Sequence, residues 1–186
     1  MPLTPTLYLT RNGLLEPLGQ SQVMNYIKGL SQSYQITLIT SEKPDDMANS
    51  QAMAQARADC EAFGINWRPK SFRRRPRLLA PAWSMFEMFW SALQAARRGD
   101  AQLIHARSYL PAAAAWAVHR LTGTPFIFDM RALWPEELIT AGRLQRGSIV
   151  HKVLTRLEKV CLRDAAAVVS LTDAAVGYLQ DQYPTE

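Results

Sequence analysis

Cysteine, histidine and long apolar runs are what this chain has least of. Its two cysteines, Cys60 and Cys161, lie far apart and outside any C-x-x-C or Cys/His ligand spacing, which argues against a disulfide framework or a structural zinc site. Two unpaired thiols suit a reducing compartment and a cytoplasmic location. No segment reaches the ~18 apolar residues of a membrane-spanning helix. The longest apolar stretch, Leu78 to Leu93, is broken by Pro81 and carries Glu87. No basic n-region with a cleavable apolar core opens the chain. Both G-x-G-x-x-G and the Gly-Lys-Ser/Thr phosphate loop are missing, since Gly13 and Gly19 are six residues apart.

What is present describes one globular unit over residues 1–186. At 186 residues, with 48% hydrophobic and 20% charged composition, the chain can bury a full core. Its net charge of +5 is concentrated: Arg68, Lys70, Arg73, Arg74, Arg75 and Arg77 share one short stretch.

Strand and helix patterns alternate along the sequence. Strands are expected at residues 6–10, 35–40, 65–68, 101–105, 125–129 and 166–171. Helices are expected from near Ser21, over 45–63, 82–98, 110–121 and 148–164, and from Asp173 to about Gln182. This alternation predicts a doubly wound, mostly parallel Rossmann-like α/β sheet with helices on both faces. The first strand opens into Arg11-Asn-Gly-Leu-Leu-Glu-Pro-Leu-Gly-Gln20 before a helix begins. A glycine-bearing loop at the carboxyl end of a strand is where open α/β sheets bind ligands. By spacing alone it reads equally well as a βα connection with two tight glycines.

Four segments resemble one family. Asn12-Gly-Leu-Leu-Glu-Pro-Leu-Gly-Gln-Ser-Gln22, Ile104-His-Ala-Arg-Ser-Tyr-Leu-Pro111, Phe126-Ile-Phe-Asp-Met-Arg-Ala-Leu-Trp134, and Leu157-Glu-Lys159 with Val168-Val-Ser-Leu-Thr172 are similar to the amino-terminal domain of bacterial group 1, family 4-type glycosyltransferases. The resemblance implies the amino-terminal half of a GT-B fold, the side that mainly receives the acceptor. The carboxy-terminal nucleotide-sugar domain, with its E-x7-E glutamates, is expected to be absent from this chain, leaving it inactive alone. The reaction implied is sugar transfer from a nucleotide-sugar to a glycan or lipid-linked acceptor with retention, without a metal or other cofactor. Fixed donors would stabilise the charge on the leaving diphosphate.

Within that resemblance the loop residues Asn12, Gly13, Leu14, Gly19 and Gln20 would border donor and acceptor, and backbone N–H groups near Gly13 would approach the phosphate or the sugar. Asp129 and Arg131, at the end of the fifth strand, are the catalytic candidates. Many relatives have a histidine where Asp129 stands, so the histidine role does not carry over. A carboxylate there can still accept a hydroxyl proton, and the alternative is an Asp129–Arg131 or Asp129–Arg107 pair that shapes the loop. His105 and Arg107 point to one side by strand alternation and, with Ser108 and Glu136, are candidates for the acceptor cleft. Structural readings compete at two of them: a hydrogen-bonded histidine at 105, and a carboxylate in the first turn of a helix at 136.

The basic stretch leads into Trp83, Phe86, Phe89, Trp90 and Leu93 on one helical stripe. A core helix accounts for part of that stripe. Aromatics beside Arg73, Arg74, Arg75 and Arg77 also suit peripheral docking, with Trp83, on the anionic inner face of the plasma membrane. Nucleic acid is a poor fit, because one arginine cluster without a stacking platform is not a recognition surface. Two other function classes compete with the transferase: a non-catalytic α/β interaction module and a nucleotide-sugar epimerase-like half-enzyme.

Overall fold

The computed structural model describes residues 3–72 and 80–183. Six parallel strands form one sheet: β1 (Thr4–Thr10), β2 (Tyr34–Glu42), β3 (Asn66–Ser71), β4 (Leu103–Arg107), β5 (Phe126–Met130) and β6 (Ala167–Ser170). Their order is β3-β2-β1-β4-β5-β6, and every neighbouring pair is parallel. The chain builds outward from β1 to β3, returns through a helix to β4, and then builds the other way. This is the doubly wound Rossmann-like sheet that the alternation predicts, and its direction reverses between β1 and β4.

The helices are α1 (Asn25–Leu30), α2 (Pro44–Ala48), α3 (Ser50–Ala62), α4 (Ala80–Arg98), α5 (Tyr109–Thr122), α6 (Trp134–Thr140), α7 (Ile149–Asp164) and α8 (Asp173–Gln182). Two cores lie on opposite faces of the sheet. Leu7, Leu9, Ile104, Ala106, Phe126 and Phe128 pack against α4, α5 and α7. On the other face Tyr8, Ile36, Leu38 and Trp67 pack against Val23, Ile27, Ala56 and Cys60. The two cysteines therefore sit in different cores, and burial pushes their thiols up, Cys60 to about 11 and Cys161 to about 12.

Several expected boundaries move. The long helix over 45–63 is two helices, because the Asn49 side chain accepts from the Ala52 N–H at 3.1 Å and starts α3 afresh. β2 runs two residues further, to Glu42, and β4 lies two residues later than expected, which makes Arg107 a strand residue. A π-helical turn, Gly19–Met24, precedes α1, a deviation often found at functional positions. The aromatic stripe of α4 splits. Met88, Ala92 and Leu93 are buried, with Phe89 partly covered, whereas Trp83, Phe86 and Trp90 are about half exposed. Among the described residues no helix is long and apolar enough to cross a membrane.

A polar network fastens α5 to α7. Buried Glu158 accepts from the Tyr109 hydroxyl and, at 2.6 Å, from the Tyr183 hydroxyl. Burial and the Glu158 carboxylate raise the pKa of both phenols.

Candidate functional site

Parallel register carries one row of side chains across the sheet: Trp67 beside Leu38, Leu38 beside Tyr8, Tyr8 beside His105, His105 beside Ile127. Two residues nearer the carboxyl ends, Thr10 pairs with Arg107 and Arg107 with Asp129. Strand alternation puts both rows on the face covered by α1 and α3. On the β1–β4–β5 side these positions, Ile127 apart, carry polar groups, and they flank the reversal point between β1 and β4.

Asp129 is at the centre and is 1% exposed. Its Oδ1 lies 2.8 Å from Arg131 Nε, and its Oδ2 accepts from Arg131 Nη2 at 3.0 Å. His105 Nε2 lies 3.2 Å from Oδ2. Tyr8 stacks on His105 with ring centroids 4.6 Å apart, and Tyr26 of α1 meets the same ring edge-on at 5.5 Å. Arg107 donates to Gln22 Oε1 at 2.6 Å, which ties β4 to the π-helical turn. Burial, reinforced by the Asp129 charge, pushes the Tyr8 hydroxyl up to about 12 against the opposing pull of Arg107. The cluster thus holds a fixed carboxylate between an imidazole and a guanidinium. Charge-assisted bonds of this kind are short and strongly directional. Arg131 is the partly exposed member, its side chain 21% accessible.

Beside the cluster, the segments continuing β1, β4 and β5 frame a cavity of about 170 Å³ lined by Arg11, Ser108, Tyr109, Leu110, Pro111, Ala132 and Trp134. Ser108 precedes α5 with φ 75°, a left-handed conformation that is strained for a residue with a Cβ. Its N–H donates to the Asp129 carbonyl at 2.8 Å, binding the ends of β4 and β5 together.

The glycine loop folds over the end of β2. The Leu14 N–H donates to Glu42 Oε1 at 2.7 Å and the Leu15 N–H to Oε2 at 3.5 Å. A Cβ on Gly13 would lie 2.6 Å from Glu42 Oε2, and one on Gly19 would lie 2.0 Å from the Gly13 carbonyl oxygen. Both positions therefore demand glycine for close approach. Asn12 reaches Glu16 at 3.5 Å, and Gln20 donates to the Leu15 carbonyl at 3.3 Å.

The structure brings His105, Arg107, Asp129 and Arg131 together with Ser108 adjacent, and gathers Asn12, Gly13, Leu14, Gly19 and Gln20 into one loop. Asp129 pairs with Arg131 and His105, whereas Arg107 turns to Gln22. Glu136 sits in the first turn of α6 and pairs with Arg146 at 2.5 Å. Trp83 lies on α4, which packs on the opposite face. Arg73, Arg74, Arg75 and Arg77 lie outside the described residues. Tyr8, Gln22, Tyr26 and Glu42 were not anticipated. Period-2 alternation through β1 was the available signal for Tyr8, and a lone acid after an apolar strand was the signal for Glu42.

The model of the glycosyl transferase 4-like domain matches residues 19–185. The chain belongs to that family. No curated protein matches this glycosyl transferase 4-like chain. Among solved structures it is similar to UGT89C1 of Arabidopsis thaliana complexed with UDP, at 10% identity and a TM-score of 0.58, covering 97% of this chain and 48% of that one. It is also similar to UGT73P12 of Glycyrrhiza uralensis complexed with glycyrrhetinic acid 3-O-monoglucuronide, at 12% identity and 0.57, covering 98% and 46%. The domain spans about half the length of these structures, and its fold corresponds to one half of a GT-B glycosyltransferase.

Proposed function

We propose that this domain is the acceptor-side half of a retaining, metal-independent hexosyltransferase of polysaccharide biosynthesis. The transferase moves a sugar from a nucleotide-sugar to a glycan or lipid-linked acceptor, and the domain is inactive without its donor-binding half. One observation carries the reading. The buried Asp129–Arg131–His105 cluster stands at the carboxyl edge of the sheet, where the strand order reverses and α/β folds bind ligands. Arg131 brings the cluster toward the ligand, and Asp129 holds Arg131 and His105 in place to receive sugar hydroxyls. The UDP in the complex with UGT89C1 supports a nucleotide-sugar as donor.

The proposal extends to location: the domain works at the cytoplasmic face of an anionic membrane. Trp83, Phe86 and Trp90 expose a continuous aromatic side of α4, with Phe86 and Trp90 stacked 6.1 Å apart. In sequence the arginine stretch immediately precedes this helix. Aromatic rings beside cationic side chains are what interfacial docking requires.

The test is release of nucleoside diphosphate from UDP-glucose, UDP-galactose, UDP-N-acetylglucosamine and GDP-mannose, with EDTA present, by the full protein carrying this domain. Release that Asp129→Asn abolishes is the expected result, and the anomeric configuration of the product reports retention. No release from any of these donors, with or without acceptor extract, would favour the non-catalytic module. Flotation with phosphatidylglycerol vesicles tests the membrane surface: binding at low salt that Phe86→Ser with Trp90→Ser removes is expected, and absence of flotation overturns it.

A further inference from the structure

We infer that Glu42 is the positioning residue of the ligand-facing loop, holding residues 11–20 in a preset shape through the loop's own amides; the inference rests on the transferase reading above. Glu42 is completely buried, at the end of a strand whose other inward side chains are apolar or hydroxylic. A carboxylate is retained at such a depth only when hydrogen bonds replace its water. Glu42 has them. Oε1 accepts from the Leu14 N–H at 2.7 Å and from the Thr40 hydroxyl at 2.5 Å. Thr40 Oγ1 in turn accepts from Trp67 Nε1 at 2.9 Å, so the carboxylate is braced from β3 through β2.

The fit is tight on every side. Gly13 approaches the carboxylate so closely that a Cβ there would displace it, and Gly19 is packed against the Gly13 carbonyl. Lys43, the next residue, pairs with Glu16 of the loop at 3.0 Å and adds a second tie on the solvent side. Successive backbone amides in such loops are ready-made anion sites. Here an internal carboxylate occupies those of Leu14 and Leu15. The loop therefore meets its ligand as a preset surface, with Asn12, Glu16 and Gln20 on it, and its shape depends on one acid 28 residues away in sequence. Glu42 acts on the substrate through the loop, and its removal weakens donor engagement more than turnover.

Two variants test this in the full protein, with the best donor of the panel above as probe. Glu42→Gln keeps one carbonyl acceptor for Leu14, and Glu42→Ala keeps none. Amide exchange at Leu14 is expected to quicken at least tenfold in Glu42→Ala and less in Glu42→Gln, while the amides of Leu7 and Leu9 stay within threefold. The KM for the donor is expected to rise fivefold or more in the same order, with kcat within twofold. Unchanged exchange at Leu14 would overturn the anchoring. Faster exchange with an unchanged KM would overturn the positioning role and leave Glu42 a folding residue. If the unaltered protein turns over none of the donors, the transferase reading fails and the positioning role fails with it; the exchange comparison, which needs no turnover, still decides the anchoring.

Discussion

The same face of one sheet is built in two ways. Over β2 and β3 it carries Ile36, Leu38 and Trp67, closed off by the apolar sides of α1 and α3. Over β4 and β5 it carries His105, at the register of Leu38 through Tyr8, and, two residues nearer the carboxyl ends, Arg107 and Asp129, each less than 5% exposed. Both halves are buried, so burial does not distinguish them. The difference lies in what fills the middle of each half: apolar side chains held by dispersion and water exclusion in the first, where Thr40 and Glu42 form a hydrogen-bonded group at the carboxyl end of β2, and directed bonds of His105, Arg107 and Asp129 in the second. Polar groups in a buried row cost stability that an apolar row would supply.

Substituting one residue in each half separates the two roles. Asp129→Ala leaves Arg131 and His105 without their shared carboxylate. It should cost about 3–5 kcal/mol of stability and lower transfer roughly a hundredfold or more. Leu38→Ala, in the apolar half, should cost about 2–5 kcal/mol through the cavity it leaves while kcat/KM at saturating folded fraction stays within twofold. Urea unfolding midpoints and initial rates on the same preparations check both. A Leu38→Ala enzyme as inactive as Asp129→Ala would erase the distinction between the halves.

Tyr8 belongs to both halves, and alkaline pH probes it. Burial pushes its hydroxyl up to about 12, from an ordinary value of 10.0. The unfolded chain therefore loses that proton first as pH rises. The stabilisation is complete below pH 10 and declines by about 2–3 kcal/mol as pH approaches 12. Cys60 and Cys161, with thiols at about 11 and about 12 against 9.0, begin the same decline from pH 9. In Tyr8→Phe the fall between pH 10 and 12 should be shallower, leaving the contributions of the two thiols and of the other raised phenols, Tyr109 and Tyr183 foremost. Chemical denaturation at half-unit pH steps reads the slope directly, and identical slopes in the two proteins would refute the assignment.

A smaller effect is expected at the loop that joins the halves. Gly19→Ala places a methyl group 2.0 Å from the Gly13 carbonyl oxygen. The loop must shift, at a cost of about 1–3 kcal/mol. Gly29→Ala, whose Cβ would meet nothing within 4 Å, is the matched control and should leave the melting temperature unchanged or raise it slightly.

The strand and helix alternation made the fold class readable, because period and breaker residues are local properties. The site was readable only where one segment contained it. Asp129 and Arg131 are two residues apart, and His105 and Arg107 share a strand, so each pair could be named together. That His105 joins Asp129 while Arg107 joins Gln22 depends on register between strands and on where the π-helical turn lies. Glu42 illustrates the limit. Its partners at Leu14 and Leu15 are 28 and 27 residues away, and a single acid after an apolar run reads locally as a strand end meeting solvent. The α4 stripe was legible only in part: Trp83, Phe86 and Trp90 share the helical spacing of Phe89 and Leu93, and only the packing shows that the sheet is met by Met88, Ala92 and Leu93 while the first three stay exposed.

That stripe supplies the weakest stability effect and the cleanest separation of surface from core. Phe86 is 52% exposed and Trp90 46% exposed. Replacing both with serine removes apolar area that already faces water in the isolated domain, so unfolding free energy should change by no more than about 0.5 kcal/mol. Met88→Ser, two residues from Phe86 and 5% exposed, should destabilise by about 2 kcal/mol or more, because a hydroxyl and a cavity replace a packed side chain. A double serine variant as unstable as Met88→Ser would mean that the aromatic side of α4 is part of the fold and has no partner to find outside it.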